Sequence, residues 1–169
     1  MLISYAAGLA GDSISIVPFD GLEAVEPFSE DHEANPPPGV QAWRAALADV
    51  DAVLISTPEY NGSIPGQLKN ALDWASRGVP GSPGRVNSHM YGKPVAVVSA
   101  STGSYGGAWS AQELRKSLAR QGSRVFSEIE LAIPKAAEAF NELGELQSPD
   151  QTHRLTQLIS ELAQQARSN

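Results

Sequence analysis

Two short runs of apolar, mostly β-branched residues constrain the fold of this chain more than any other feature. Residues 52–55 read AVLI and residues 95–98 read VAVV, and turn-forming residues bound each run. A strand that is apolar on both faces is buried on both faces, which is typical of the middle of a parallel sheet covered by helices. The two runs therefore predict two central strands of an α/β sheet.

Segments with helical periodicity alternate with these runs. Residues 40–50 precede the first run, residues 64–76 follow it, and residues 110–121 follow the second. In the second of these segments the apolar positions share one helix face, which indicates a core-facing stripe made of Ile64, Leu68, Ala71, Leu72 and Ala75.

Capping signals mark the ends of two predicted helices. Ser110 and Glu113 have the spacing of a capping box, and Gly122 is suited to end the helix that they begin. Ser148 and Gln151 form a second capping box, with Pro149 at the first helical position. The last helix then carries an apolar stripe of Leu155, Leu158, Ile159, Leu162, Ala163 and Ala166.

Three weaker segments complete the pattern. Residues 13–18 and residues 124–133 are predicted as further strands. Residues 2–6 fit a strand, but we favour a helix over residues 2–9 that ends at Gly11. Since strands and helices alternate along the chain, we expect an open, doubly wound α/β sheet.

Composition narrows the function classes. The chain has 169 residues, so we expect one domain spanning 1–169. Its net charge of −7 argues against nucleic acid and anionic membranes as partners, and no apolar run approaches the ~20 residues of a membrane-spanning helix. The lack of cysteine favours the cytoplasm. Because His32, His89 and His153 are far apart in sequence, we expect no metal site.

The chemistry is expected in the two loops that follow the apolar runs, since ligands of open α/β sheets bind beyond the carboxyl ends of the strands. Residues 56–66 read STPEYNGSIPG. Asn61-Gly62 predicts a tight turn with positive φ, and Ser63 is a candidate N-cap of the next helix. The backbone N–H groups of residues 60–63 would then point outward beside the Tyr60 ring.

The second loop, residues 99–107, reads SASTGSYGG. Its three glycines would let the backbone approach a flat ligand closely. Two such loops facing each other predict a slot for a planar heterocycle. The alternative is that both are ordinary strand-to-helix turns, which are rich in glycine and serine for conformational reasons alone.

Other chemistries have weaker support. Neither Ser101 nor Ser104 lies in a G-x-S-x-G elbow, and the chain has no G-x-G-x-x-G or Walker A motif. Glu59 and Asp73 could form a carboxylate pair, but pairing of Asp73 with Lys69, one helical turn away, or with backbone is favoured.

The two loops and their flanks resemble the NADPH-dependent FMN reductase family, flavodoxin-like proteins that include quinone, azo-dye and chromate reductases. The resemblance is carried by residues 56–76, STPEYNGSIPGQLKNALDWAS, and by residues 92–107, GKPVAVVSASTGSYGG. Residues 140–144, FNELG, and the final helix resemble the carboxyl end of the family. The resemblance implies a flavodoxin-like, three-layer α/β/α sheet, FMN as cofactor and NADPH as co-substrate.

The resemblance also implies roles for particular residues. One side of the flavin ring would be contacted, largely through backbone, by Pro58, Glu59, Tyr60, Asn61 and Gly62. The other side would be lined by Ser101, Thr102, Gly103 and Gly106. The helix over residues 64–76 would pack against a second subunit in a homodimer or homotetramer, using residues outside its core stripe: Lys69, Asn70, Asp73 and Trp74. For Trp74 the alternative is the core of its own chain.

The chain departs from the family pattern at its start. Family members open with an apolar strand and a phosphate loop of the type G-S-x-R-x-x-S-x-N, whereas residues 2–11, LISYAAGLAG, align with the end of the helix that follows. We expect either that the natural protein is longer or that this is a degraded relative that binds FMN poorly, and we favour the longer protein.

Two functions follow. The first is an enzyme that transfers hydride from NAD(P)H through FMN to a small acceptor such as a quinone, an azo compound or free flavin, with no side chain needed as an acid or base. The second is a non-enzymatic protein, either an electron carrier or a flavin-free interaction module.

Overall fold

The two apolar runs form adjacent parallel strands. In the computed structural model, β1 (Val53–Thr57) pairs with β2 (Pro94–Ala100) from Val53 opposite Val95 to Thr57 opposite Ser99. The structure describes residues 1–79, 81–126 and 129–168. Within them the sheet is entirely parallel, and β2 is its central strand.

The other edge of β2 is covered by two short strands in succession. β3 (Arg124–Val125) pairs with the start of β2, and β4 (Leu131–Ile133) pairs with its end. The strand predicted over residues 124–133 is thus confirmed at both ends. Its middle, residues 127–128, lies outside the described residues.

Helices cover both faces of the sheet. The helices are α1 (Leu2–Leu9), α2 (Pro38–Ala48), α3 (Gly66–Ala75), α4 (Ala108–Gln121), the short α5 (Ala136–Ala139) and α6 (Pro149–Arg167). Short 3₁₀ turns lie at Leu22–Ala24, Glu30–His32 and Arg85–Asn87. The favoured helix at the start of the chain is confirmed, as are the four other predicted helices to within a few residues.

Alternate residues of β2 enter two separate cores. Val95 and Val97 pack with α2, α3 and α4, whereas Ala96 and Val98 pack with α1 and α6. A strand buried on both faces requires a helical layer on each side. The chain therefore has the flavodoxin-like, three-layer α/β/α architecture that the sequence predicts.

Two strand predictions are wrong within the described residues. Residues 13–18 form no strand; Ile14 and Ile16 pack against the α1–α6 core, but no strand lies beside them to share backbone hydrogen bonds. β1, expected as a central strand, pairs with β2 alone and lies at the sheet edge. Its side chains match that position, because only Ile55 and Thr57 are buried.

The predicted N-terminal cap is confirmed at α6 and is wrong at α4. Ser148 Oγ accepts a hydrogen bond from the Gln151 N–H at 3.4 Å, so the predicted N-cap of α6 is confirmed. At α4 the capping box is wrong, since Gly107 is the N-cap and Ser110 is buried inside the helix. Gly122 ends α4 in the left-handed conformation, as predicted.

An irregular segment before α2 is held by polar side chains of α3. Gln67 Nε2 donates to the Leu22 and Val25 carbonyls at 2.8 and 2.9 Å. Asn70 Oδ1 accepts from the Phe28 N–H at 2.8 Å. These contacts fix residues 22–28 against the helix that follows the first loop.

Trp74, also on α3, packs against the same segment, residues 22–28. Its indole N–H donates to the Glu26 carbonyl at 2.8 Å, its ring meets Phe28 edge-on at 4.8 Å, and its side chain is fully buried. The expectation that Trp74 faces a second subunit is therefore wrong, and the alternative, a core residue of its own chain, is confirmed.

Candidate active site

The first loop, residues 58–65 between β1 and α3, is built on a two-residue hairpin turn. Tyr60 and Ser63 exchange two backbone hydrogen bonds of 3.0 Å, and Asn61 and Gly62 have φ of 53° and 74°. Positive φ at both central positions is the type I′ turn that Asn-Gly favours, so the predicted tight turn is confirmed. Within the described part of the chain, these bonds leave the N–H groups of Asn61 and Gly62 without a backbone acceptor.

Ser63 does not cap α3 as expected. Pro65 is the N-cap residue, and both backbone groups of Ser63 are already used in the hairpin. The Ser63 hydroxyl donates instead to Glu113 Oε2 at 2.6 Å. This bond ties the first loop to α4.

The second loop, residues 101–107 between β2 and α4, is pinned to the chain that follows β4. The Ser101 N–H donates to the Ile133 carbonyl at 3.1 Å, and the Ala136 N–H donates to the Ser101 carbonyl at 3.0 Å. The Lys135 N–H donates to the Gly103 carbonyl at 3.1 Å. These bonds fix the backbone of the second loop against the end of β4 and the residues that follow it.

Gly106 allows this close packing. Its φ is 62°, and a Cβ at this position would lie 2.7 Å from the backbone nitrogen of Ile133. No real side chain tolerates such a distance, so glycine is required here.

The two loops are joined at the start of α4, which follows directly from the second loop. Glu59 Oε2 accepts hydrogen bonds from the N–H groups of Trp109, at 3.2 Å, and Ser110, at 3.4 Å. Below this contact Thr57 Oγ1 and Ser110 Oγ are 3.0 Å apart in a buried hydrogen bond. The carboxylate of one loop thus caps the helix that follows the other.

The predicted ring-binding residues fall into two groups. Six are exposed where the loops face solvent: Pro58, Tyr60, Asn61, Gly62, Thr102 and Gly103. The other three are engaged within the protein: Glu59 through its carboxylate, Ser101 through both backbone groups, and Gly106 through its contact with β4. The structure brings all nine into one region at the carboxyl end of β1 and β2.

Two aromatic residues at this place were missed by the sequence analysis. Tyr105 and Trp109 stack with ring centroids 5.4 Å apart and an angle of 28° between their planes. They lie four positions apart across the start of α4, a spacing that brings side chains together on a helix. That spacing was the signal available in the sequence.

The Asp73 prediction is confirmed. Lys69 Nζ and Asp73 Oδ1 are 2.5 Å apart on the exposed side of α3, so Asp73 is not paired with Glu59. Both residues line a cavity of about 830 Å³ between α3, residues 76–85 and α4. Pro80, inside that segment, lies outside the described residues. Glu113, the partner of Ser63, also lines the cavity, which therefore adjoins the first loop.

Three groups with shifted pKa values belong to other parts of the chain. Burial lowers the pKa of Lys93, whose Nζ donates to the Leu47 and Val50 carbonyls at the end of α2. Burial, followed by the nearby charges of Lys93 and Arg44, lowers the pKa of His89. Burial also lowers the pKa of Arg44, which lies beneath Trp74. These groups do not belong to either loop.

Residues 1–79, 81–126 and 129–168 contain no cluster of three or more histidine or acidic side chains that could hold a metal ion. They also contain no helix long and apolar enough to cross a membrane.

The chain is similar to a known protein family over most of its length. The sequence profile described as NADPH-dependent FMN reductase matches residues 1–138. The chain belongs to the NADPH-dependent FMN reductase family. One relative in the FMN reductase family is an NAD(P)H-dependent FMN reductase of Pseudomonas aeruginosa. It is 37% identical over 142 residues, which cover 83% of this chain and 72% of the relative.

Other members of the FMN reductase family are similar over shorter shares of their length. A 2-hydroxy-1,4-benzoquinone reductase of a Burkholderia species is 37% identical over 73% of this chain and 64% of its own. A quinone reductase of Pseudomonas putida is 39% identical over 70% of this chain and 61% of its own. The chain thus spans under two thirds of these two relatives.

A solved structure matches nearly the whole chain. FerB of Paracoccus denitrificans, described as a flavoenzyme NAD(P)H:(acceptor) oxidoreductase, superposes with a TM-score of 0.84 and 28% identity. The match covers 99% of this chain and 88% of FerB. The FMN reductase family and this likeness establish the fold and the class of a flavin-dependent NAD(P)H oxidoreductase.

The residues of the two loops fit the ring of the family's cofactor, FMN. The free N–H groups of Asn61 and Gly62 are donors, and the exposed Tyr60 ring lies beside them. Neither loop contains lysine or arginine, so neither offers a cation to the phosphate of FMN. The N-terminus of α4, which could bind an anion, is occupied by the Glu59 carboxylate.

Proposed function

We propose that this protein uses NAD(P)H and FMN to reduce a small acceptor such as a quinone, an azo compound or free flavin. Membership of the FMN reductase family supports the cofactor and the electron donor. The names of the Burkholderia and P. putida relatives support a quinone as acceptor. Bound FMN would supply the redox chemistry, by accepting hydride from NAD(P)H and passing electrons to the acceptor.

The observation that carries the proposal is the junction of the two loops through Glu59. Because its carboxylate binds two N–H groups of α4, the first loop is held next to the second. A planar ligand at this edge of the sheet would meet exposed residues of both loops. We therefore propose that the ring contacts Pro58, Tyr60, Asn61 and Gly62 on one side and Ser101, Thr102 and Gly103 on the other, while Glu59 and Gly106 hold the loops in shape.

The polypeptide's part in this function is binding and orientation. Donation from the Asn61 and Gly62 N–H groups would favour negative charge on the reduced ring, as backbone donors do in other sites that stabilise anions. Both groups are held by the backbone hydrogen bonds between Tyr60 and Ser63. They would therefore need little rearrangement on binding.

The test is a titration of the purified protein with FMN, followed by NADPH oxidation with ferricyanide or a quinone. We expect quenched flavin fluorescence and acceptor-dependent turnover. Flavin binding without NADPH oxidation would favour an electron carrier. No quenching at micromolar protein would favour a flavin-free interaction module and would contradict the proposal.

The same titration with riboflavin tests the missing phosphate contact. Since the two loops offer the ring donors but no cation, we expect FMN and riboflavin to bind chain 1–169 with dissociation constants within about tenfold of each other, that is, within about 1.4 kcal/mol. The Lys135 N–H donates to the Gly103 carbonyl, so Lys135→Met tests whether the ammonium beside the second loop supplies any remaining preference for FMN. A preference of a thousandfold would show that another part of the chain binds the phosphate.

We also propose that the protein is cytoplasmic, as its lack of cysteine favours.

We further propose that the protein forms a homodimer or homotetramer through α3. With Trp74 buried, the surface left for a partner is the side of α3 that carries Lys69 and Asp73 and lines the cavity next to α4. Sedimentation should give a multiple of 17.9 kDa. The charge reversal Asp73→Lys should weaken the assembly, and Glu142→Lys, on an exposed turn, should not.

A further inference from the structure

An exposed aromatic pair stands at the edge of the two loops. The side chains of Tyr105 and Trp109 are 68% and 56% exposed, yet they stack on each other at 5.4 Å. We call this pair the aromatic shelf. Stacking orders the two rings relative to each other and leaves each ring one free apolar face, on opposite sides of the stack.

The shelf adjoins the proposed ring slot. The Cε3 atom of Trp109 lies 3.9 Å from where a Cβ on Gly62 would be, so the indole contacts the tip of the first loop. Tyr105 is itself part of the second loop, and the backbone of Trp109 is fixed by Glu59. The shelf is therefore held by both loops.

The other two tryptophans show how unusual this exposure is for the chain. Trp43 and Trp74 are 7% and 0% exposed, and each indole N–H donates to a backbone carbonyl. An exposed tryptophan forgoes the burial that makes this residue stabilising. A binding partner that covers the ring would recover that burial.

We propose that the aromatic shelf binds the ring of an aromatic or quinonoid electron acceptor. This inference rests on the proposed function, because it assigns the acceptor of that same site. A quinone is planar, apolar on both faces and small enough to extend a stack of two rings. A second copy of the chain is the other possible occupant, and the test below separates the two.

The first arm measures acceptor preference with FMN-loaded protein. Trp109→Leu removes the indole and leaves the N–H that Glu59 binds. We expect it to lower the ratio of kcat/KM for 2-methyl-1,4-naphthoquinone to kcat/KM for ferricyanide by roughly 3- to 10-fold. Trp109→Phe should restore most of the ratio, because an aromatic face is retained. Tyr91→Leu, a control at an exposed tyrosine before the other end of β2, should leave the ratio at the wild-type value. An equal fall with both acceptors, or no fall, would overturn the proposal.

The second arm needs no flavin and no turnover. Because Trp43 and Trp74 are buried, Trp109 is the tryptophan that solvent and ligands reach among those the structure describes. Saturable quenching of indole fluorescence by the naphthoquinone should be seen in the wild type and lost in Trp109→Leu, which has neither the exposed indole nor an aromatic face. Quenching that persists in the variant would overturn the proposal. Protection of Trp109 from acrylamide that rises with protein concentration would assign the shelf to a second copy instead.

The two arms separate the possible failures. If wild-type protein turns over neither acceptor but still shows saturable quenching at Trp109, the enzymatic proposal fails and the shelf is retained as a binding site for planar rings. If both acceptors are turned over and Trp109 has no effect, the enzyme is retained and the shelf is rejected.

Discussion

The Glu59 carboxylate accepts a hydrogen bond from the Trp109 backbone N–H at 3.2 Å, across fifty positions of sequence. Side-chain capping of a helix N-terminus is usually local, supplied by the residue just before the helix. Here Gly107 is at the N-cap position and has no side chain to offer, so the cap comes from the neighbouring loop. One contact therefore stabilises α4 and joins the two walls of the candidate site.

Substitution of Glu59 should affect stability and ligand binding together. Glu59→Ala leaves two helix N–H groups without their acceptor, and we expect a loss of about 1–2 kcal/mol in the free energy of unfolding by urea. Glu59→Gln keeps an acceptor oxygen and loses the favourable charge, so about half that loss is expected. FMN binding should weaken in the same order. Glu142→Ala, an exposed acid in a turn, serves as the control, and an equal loss there would refute the capping role.

Gly62 and Gly66 form a matched pair at the first loop. Gly62 has φ of 74°, so Gly62→Ala should destabilise the chain by about 1–2 kcal/mol through backbone strain alone. Gly66 is the first residue of α3, and an added Cβ there meets nothing within 4 Å. Gly66→Ala should therefore stabilise by about 0.5 kcal/mol. Urea unfolding of both variants checks the opposite signs.

Gly106 and Gly103 form a second matched pair in the other loop. A Cβ at Gly106 would clash with the Ile133 backbone, whereas at Gly103 its nearest neighbour would be Ser101 Oγ at 3.6 Å. Gly106→Ala should cost about 2–4 kcal/mol of unfolding free energy and weaken flavin binding. Gly103→Ala should stay within about 0.5 kcal/mol of the wild type. Similar effects at both sites would mean that the packing against β4 is not what fixes this loop.

His89 should give the folded protein a pH dependence. Burial and the charges of Lys93 and Arg44 lower its pKa, so the unfolded chain binds the proton first as pH falls through about 6.5. The free energy of unfolding should therefore decrease below that pH, until the folded state is protonated too. His89→Gln should flatten this part of the stability curve, measured by urea unfolding between pH 8 and 5. His153→Gln, exposed on α6, is the control, and an unchanged curve in His89→Gln would contradict the assignment.

The sequence predicts most of the regular structure because periodicity reports burial. The two apolar runs are strands, and the stripes on α3 and α6 are buried where the helices meet the sheet. The failures are at residues 13–18 and at the position of β1, where local pattern cannot say which strands lie side by side. A β-branched run indicates a strand and does not indicate its neighbours.

The sequence predicts the part of the candidate site that depends on local residues and not the part that depends on distant contacts. The Asn61-Gly62 turn is local and follows from two residues. The roles of Glu59 and Ser63 depend on α4, about fifty positions away, so spacing alone suggested a local cap at Ser63 and a local box at Ser110. Trp74 was misplaced because it lies outside the sheet-facing stripe, and only the path of residues 22–28 shows that it is covered.

Residues 22–28 are held against α3 by several hydrogen bonds. Although the segment has little regular structure, Asn70 binds the Phe28 N–H and α3 binds the carbonyls of Leu22, Val25 and Glu26. Its backbone cannot detach unless the helix also gives up these bonds. The Phe28 amide proton should thus exchange with deuterated solvent on the timescale of the helix, as slowly as amides inside α3 and far more slowly than its irregular conformation suggests.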